Sequence, residues 1–109
     1  MMRELKAIIR PERQTEVLHA LHSIPHLPGV TISTVRGFGR RYPADPAQPF
    51  DEVAMTKLEL VVPTALVKSV VDVIARAAHT GRVGDGKIFV IPVEQAMRIR
   101  SGEQGADAL

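Results

Sequence analysis

Hydrophobic and polar positions along this chain group, alternate and break so as to lay out six elements. Leu5, Ala7 and Ile9 alternate through residues 3–10 and stop at Pro11, the pattern of a half-buried strand. From Glu12 to about Ser23, Val17, Leu18 and Leu21 recur at helical spacing. Acids come early in this stretch and histidines late, the charge order that a helix dipole favours. Pro25, Pro28 and Gly29 interrupt the chain, and Val30 to Val35 alternates as a β-branched second strand. A proline-rich polar segment runs from about Arg40 to Ala54, and Leu58, Leu60, Val61 and Val62 predict a third strand ending at Pro63. Thr64 is placed to cap a second helix, whose positions Leu66, Val67, Val70, Val71, Ile74, Ala77 and Ala78 form a broad buried face. Gly81 stands where a helix C-terminus takes a left-handed residue. Ile88 to Val93 predict a fourth strand, and residues 94–109 form a short basic tail with Arg98 and Arg100. The order β-α-β-β-α-β predicts an α+β, ferredoxin-like domain with an antiparallel sheet and an extended loop between strands two and three.

Composition narrows the class. The 109 residues predict one domain, and 45% hydrophobic residues with only 4% aromatic predict an aliphatic core. A domain this small buries roughly two-thirds of its unfolded surface, so oligomerisation is an expected source of further stability. The net charge of +2 is mild and spread along the chain, unlike a nucleic-acid-binding stripe. Arg36, Arg40 and Arg41 are accompanied by no stacking aromatics beyond Phe38 and Tyr42, which again disfavours nucleic acid. The absence of cysteine excludes disulfides and thiolate metal sites. With no apolar run near the ~20 residues of a membrane span and no leader pattern, a soluble cytoplasmic protein without membrane insertion is expected.

The candidate chemistry lies in Thr80-Gly81-Arg82-Val83-Gly84-Asp85-Gly86-Lys87. Gly81, Gly86 and Lys87 match part of a P-loop, but Ile88 replaces the Mg²⁺-binding Ser or Thr. The glycines also follow a helix and precede a strand, the reverse of P-loop order. Such a segment can still hold phosphate oxygens through backbone N–H groups and a lysine. Asp85 is the one acid in the block, and a carboxylate in a tight glycine loop commonly organises the turn. Gly37-Phe38-Gly39-Arg40 adds a second place where a ligand could approach the backbone beside a cation. The segment from Arg40 to Ala54, about 15 residues without evident structure, has the length of a functional loop.

Five ordered segments together resemble the PII signal-transduction proteins: Ala7-Ile8-Ile9-Arg10-Pro11, Val35-Arg36-Gly37-Phe38-Gly39-Arg40, Lys57-Leu58-Glu59-Leu60-Val61-Val62-Pro63, Thr80 to Val90, and Arg98-Ile99-Arg100-Ser101-Gly102-Glu103. The resemblance implies a homotrimer of ferredoxin-like subunits that holds ATP or ADP in each cleft between neighbours. Bound nucleotide would set the shape of a protruding T-loop, here residues 40–54, that docks on a target protein such as a transporter or an enzyme. Position by position, Val83, Gly84, Asp85, Gly86 and Lys87 would wrap the phosphates, and Arg98 and Arg100 would reach them across the cleft. Gly37, Gly39 and Arg40 would line the other wall, with Ile8, Thr31, Glu59 and Val61 near the adenosine. An extended tail would put Arg98 and Arg100 on one side.

Two departures from the family pattern matter. Arg41 replaces a glutamine that helps hold Mg²⁺ and 2-oxoglutarate, and Met55 replaces a lysine that pairs with 2-oxoglutarate. Loss of 2-oxoglutarate sensing is therefore expected, Mg²⁺ is left open, and Arg41 favours phosphate or another anion. The T-loop is shorter than usual and lacks the tip tyrosine that some relatives have uridylylated; Tyr42 lies at its base. These features, with Ile24-Pro25-His26-Leu27-Pro28-Gly29-Val30, resemble a divergent PII-like group encoded beside heavy-metal efflux transporters.

The function expected is thus an adenine-nucleotide-responsive regulator rather than an enzyme. Two alternatives remain from other classes. One is a weak nucleotide-hydrolysing enzyme in which Asp85 orients water. The other is a trimeric metal-binding protein using His19 and His22, three apart on the first helix.

Overall fold

In the computed structural model of the chain, the alternation of Leu5, Ala7 and Ile9 becomes one face of a central strand. The structure describes residues 1–40 and 50–109, and for 39, 40, 50 and 51 it describes the backbone alone. Strand β1 spans Met2–Ile9, α1 spans Gln14–His22, β2 spans Thr31–Arg40 and β3 spans Phe50–Pro63. Helix α2 covers Val67–Ala78 and β4 covers Gly86–Val93. The four strands form one antiparallel sheet in the order β2-β3-β1-β4. This is the ferredoxin-like arrangement expected from the element order.

Both helices pack on one face. Leu5, Ala7 and Ile9 of β1, with Leu58, Leu60 and Val62 of β3, are buried against Val17 and Leu21 of α1 and Val70, Ile74 and Ala78 of α2. No aromatic residue enters this cluster, in keeping with the aliphatic composition. The buried Thr56 on β3 donates to the Gln14 side chain at 3.2 Å, which ties the start of α1 to the sheet. The alternate positions, including Lys6, Ile8, Lys57, Glu59, Lys87 and Phe89, share the other sheet face. No helix among the described residues covers that face, and Phe89 is 47% exposed there.

Several boundaries differ from the sequence pattern. Strand β3 starts at Phe50, eight residues before Leu58, because the two-stranded ribbon with β2 continues as far as Arg40 opposite Phe50. Residues 50–54 of the expected loop are therefore regular backbone. The remainder of that loop, residues 41–49, lies outside the described residues, Arg41 and Tyr42 included. Thr64 opens a 3-10 turn, Thr64–Leu66, and supplies no side-chain cap to α2. Likewise Pro11–Arg13 is a 3-10 turn ahead of α1, with Pro11 at its first position, where a missing N–H costs nothing.

The tail is not an extended strand. Met97 pairs with Gln104, and the Gly102 amide donates to the Arg98 carbonyl at 2.8 Å, with Gly102 at φ 76°. Arg98 to Gly102 is thus a tight turn, and the alternation that would align Arg98 with Arg100 does not exist. The Ser101-Gly102 pair supplies the residue types such a turn needs.

Candidate functional site

Helix α2 ends at Ala78 and the chain returns to the sheet at Gly86, so seven residues must reverse direction beside the end of β1. Positive φ at Gly81 (85°), Gly84 (99°) and Gly86 (103°) makes that reversal possible. Gly86 is the most constrained of them. A Cβ there would come within 1.7 Å of the Ile8 carbonyl oxygen, so the backbone approach of β4 to β1 admits no side chain.

Asp85 holds the turn closed. It accepts hydrogen bonds from the Thr80 amide at 2.8 Å, the Gly81 amide at 2.9 Å and the Thr80 hydroxyl. Arg10, at the end of β1, adds its Nε at 2.8 Å and donates through Nη2 to the Val83 carbonyl at 2.8 Å. The Arg10 guanidinium, followed by the Thr80 donors, holds the Asp85 carboxyl well below the usual carboxylate range. Those donors occupy both carboxylate oxygens, so Asp85 is a turn organiser and is poorly placed to orient water.

The turn leads directly into an exposed lysine. Lys87 lies opposite Ile8 and borders a cleft of about 230 Å³ with Ile8, Asp85, Gly86 and His79, floored by Ile74 and Ala78. A second cleft, of about 390 Å³, is lined by Thr31, Glu59 and Val61 together with Glu4, Gly29 and Leu109. Thr31 and Glu59 face each other across the β2–β3 ladder, and Lys57 approaches the Glu59 carboxylate at 3.5 Å. Arg98 belongs with this second group, since its Nη2 donates to the main-chain oxygen of Leu109 at 2.8 Å. Arg100 is exposed in the tail turn. Gly37 lies on the ribbon opposite Val53, and a Cβ there would meet only the Val53 oxygen at 3.8 Å. Nothing within the described chain therefore demands glycine at that position. Gly39 and Arg40 continue the same strand, their side-chain surroundings outside the described residues.

Most of the predicted residues thus fall into two groups on one chain, Ile8 with Val83 to Lys87, and Thr31, Glu59, Val61 with Arg98, while Gly37 on the ribbon and Arg100 join neither. Two contributors carried no functional reading in the sequence. Arg10 acts on Asp85 across 75 residues, and Thr80 caps the same carboxylate. Pairing of that kind leaves no local spacing to read. Histidines 19, 22 and 26 are exposed, and no group of three or more potential metal ligands occurs among the described residues.

The family model "Nitrogen regulatory protein P-II" matches residues 2–103. The chain belongs to the P-II family. It is 42% identical to the nitrogen regulatory protein P-II of Azospirillum brasilense, over 99% of this chain and 100% of that one. It is 43% identical to the protein of the same name from Rhodospirillum rubrum, with the same coverage. Among solved structures, the crystal structure of Arabidopsis thaliana PII bound to citrate superposes with a TM-score of 0.83. That match has 42% identity and covers 99% of this chain and 92% of the other. Membership makes this P-II chain a signal-transduction regulator by family, with the ferredoxin-like fold described above. No helix among the described residues is long and apolar enough to cross a membrane.

Proposed function

We propose that this P-II chain works as a homotrimer that holds ATP or ADP between subunits and reports the bound nucleotide to a target protein through its T-loop. The observation that carries the reading is the glycine turn latched by Asp85 and Arg10. The ion pair engages Asp85, the acid within the turn, while Lys87 stands exposed beside it to meet phosphate. Gly84 and Gly86, both at positive φ, expose backbone with no side chains of their own, a common form of anion cradle. The separation of Ile8, Asp85, Gly86 and Lys87 in one cleft from Thr31, Glu59 and Val61 in another supports a shared site. One subunit would supply Ile8, Gly37, Gly39, Arg40 and the 83–87 turn, and its neighbour Thr31, Glu59, Val61, Arg98 and Arg100. The uncovered sheet face offers the surface for such an assembly.

Signalling then follows as linkage. ATP and ADP must favour the T-loop's conformations unequally, because a ligand that binds both states equally shifts nothing. The target, a transporter or an enzyme, would thereby sense the nucleotide ratio in the cytoplasm. Met55 and Arg41, in place of the family's lysine and glutamine, remove a cation and an oxygen ligand from the 2-oxoglutarate site. The reading therefore excludes 2-oxoglutarate as an input.

Equilibrium titration tests both parts. Lys87→Ala should weaken ATP and ADP binding by roughly 10- to 100-fold, the loss of a charge-assisted contact of about 1.5–3 kcal/mol. Unchanged affinity would remove Lys87 from the site. Addition of 2-oxoglutarate with ATP and Mg²⁺ to the unaltered protein should give no binding signal, and saturable heat would reinstate that ligand.

A further inference from the structure

The tail segment Gly105–Leu109 folds back onto the second cleft. Leu109 is half-buried in its lining beside Thr31, Glu59 and Val61. Its main-chain oxygen takes the 2.8 Å hydrogen bond from Arg98 Nη2, while Arg98 Nη1 lies 3.3 Å from the Glu103 carboxylate. The guanidinium proposed to receive phosphate is therefore engaged twice by its own tail. The fold-back is built rather than incidental. The Gly105 amide donates to the Ala96 carbonyl at 3.0 Å, the Leu109 amide to Ala106 at 3.3 Å, and Ser101 Oγ fixes Glu103 at 2.9 Å.

We infer that residues 105–109 are a resident competitor of the nucleotide, occupying the adenosine cleft and the phosphate arginine of the same subunit until nucleotide displaces them. The inference rests on the nucleotide-site reading above. Its chemistry is an exchange of like for like: an oxygen acceptor of the tail on Arg98 gives way to a phosphate oxygen, and the Leu109 side chain gives way to an apolar base edge. Because the acceptor gained carries more charge than the one lost, the exchange favours nucleotide. The tail nevertheless divides the apparent affinity by the fraction of clefts standing open. That would tune the sensor to high nucleotide concentrations and couple nucleotide binding to release of a peptide segment at the subunit surface.

The test compares the full chain with one lacking residues 106–109, using ATP in calorimetric titration. If the tail competes, its removal tightens ATP binding, expected at about tenfold, or about 1.4 kcal/mol. In an Arg98→Ala background the same deletion should gain much less, since the contact it relieves is already gone. Equal affinity of the full and shortened chains overturns the competitor and leaves the nucleotide site standing. Weaker binding by the shortened chain also overturns it and makes the tail a lid. Binding by neither chain overturns the nucleotide site and the competitor together. A second measurement needs no variant: amide exchange at 105–109 in the full chain should accelerate when ATP saturates the site, and unchanged or slower exchange would defeat the inference.

Discussion

Gly86 shows how little latitude one residue has when two strands close on a turn. Its φ of 103° and the 1.7 Å approach of any Cβ to the Ile8 oxygen act together. Gly86→Ala should destabilise the fold by about 3 kcal/mol or more, combining overpacking against backbone with left-handed strain. Chemical denaturation measures this, and a loss under 1 kcal/mol would mean that β4 can shift freely. Asp85 makes a pH-dependent contribution of definite sign. Its folded pKa is depressed, so its stabilising effect is complete above the ordinary carboxylate value of about 4 and is lost as pH falls below it. Asp85→Asn should lose Tm at neutral pH and show a shallower decline between about pH 4 and pH 2. Parallel melting curves for the two proteins over that range would show that the latch does not govern the acid limb.

At the scale of elements, the end of α2 depends on a residue from the turn that precedes α1. Arg13, just ahead of α1, donates to the Ala77 carbonyl through Nε at 2.9 Å and Nη2 at 2.6 Å. A guanidinium there satisfies a terminal carbonyl and faces the negative end of the helix dipole. Arg13→Ala should cost about 1–2 kcal/mol in denaturant unfolding, with Arg13→Lys recovering part of it. The exposed Lys68–Asp72 pair on α2 has the opposite character: 3.0 Å apart in open solvent, it is worth only a few tenths of a kcal/mol. The β2–β3 ribbon is an element in its own right. Its regular pairing runs from Thr31 opposite Glu59 to Arg40 opposite Phe50, and the exposed Arg36 and Glu52 side chains form an ion pair along it.

For the whole molecule, the decisive feature is a sheet whose helices, among the described residues, all pack on one face. The open face mixes Lys6, Lys57 and Glu59 with Ile8 and the half-exposed Phe89, a surface suited to being covered by copies of itself. Light scattering should therefore return three times the 11.9 kDa chain mass in dilute buffer. A monomer at micromolar concentration would leave each cleft without its counterpart from a neighbouring subunit and undo the shared site.

Local pattern carried most of the architecture. The period-two run at Leu5, Ala7 and Ile9 and the helical run from Leu66 to Ala78 placed strand and helix correctly, because each face's burial repeats within a few residues. The glycine block was legible for the same reason, since positive φ is a property of single residues. Misreadings arose where a distant partner decided the outcome. The segment 50–54 pairs with 36–40 across a proline-rich gap, and the Arg98–Gly102 stretch turns because Met97 finds Gln104. The sequence by itself determined the element order, the aliphatic core and the family resemblance. Only the tertiary structure decided that Arg10 latches Asp85, that candidate site residues line two separate clefts, and that Leu109 joins the lining of one of them. Those three outcomes rest on contacts between residues up to 75 positions apart, which no local periodicity encodes.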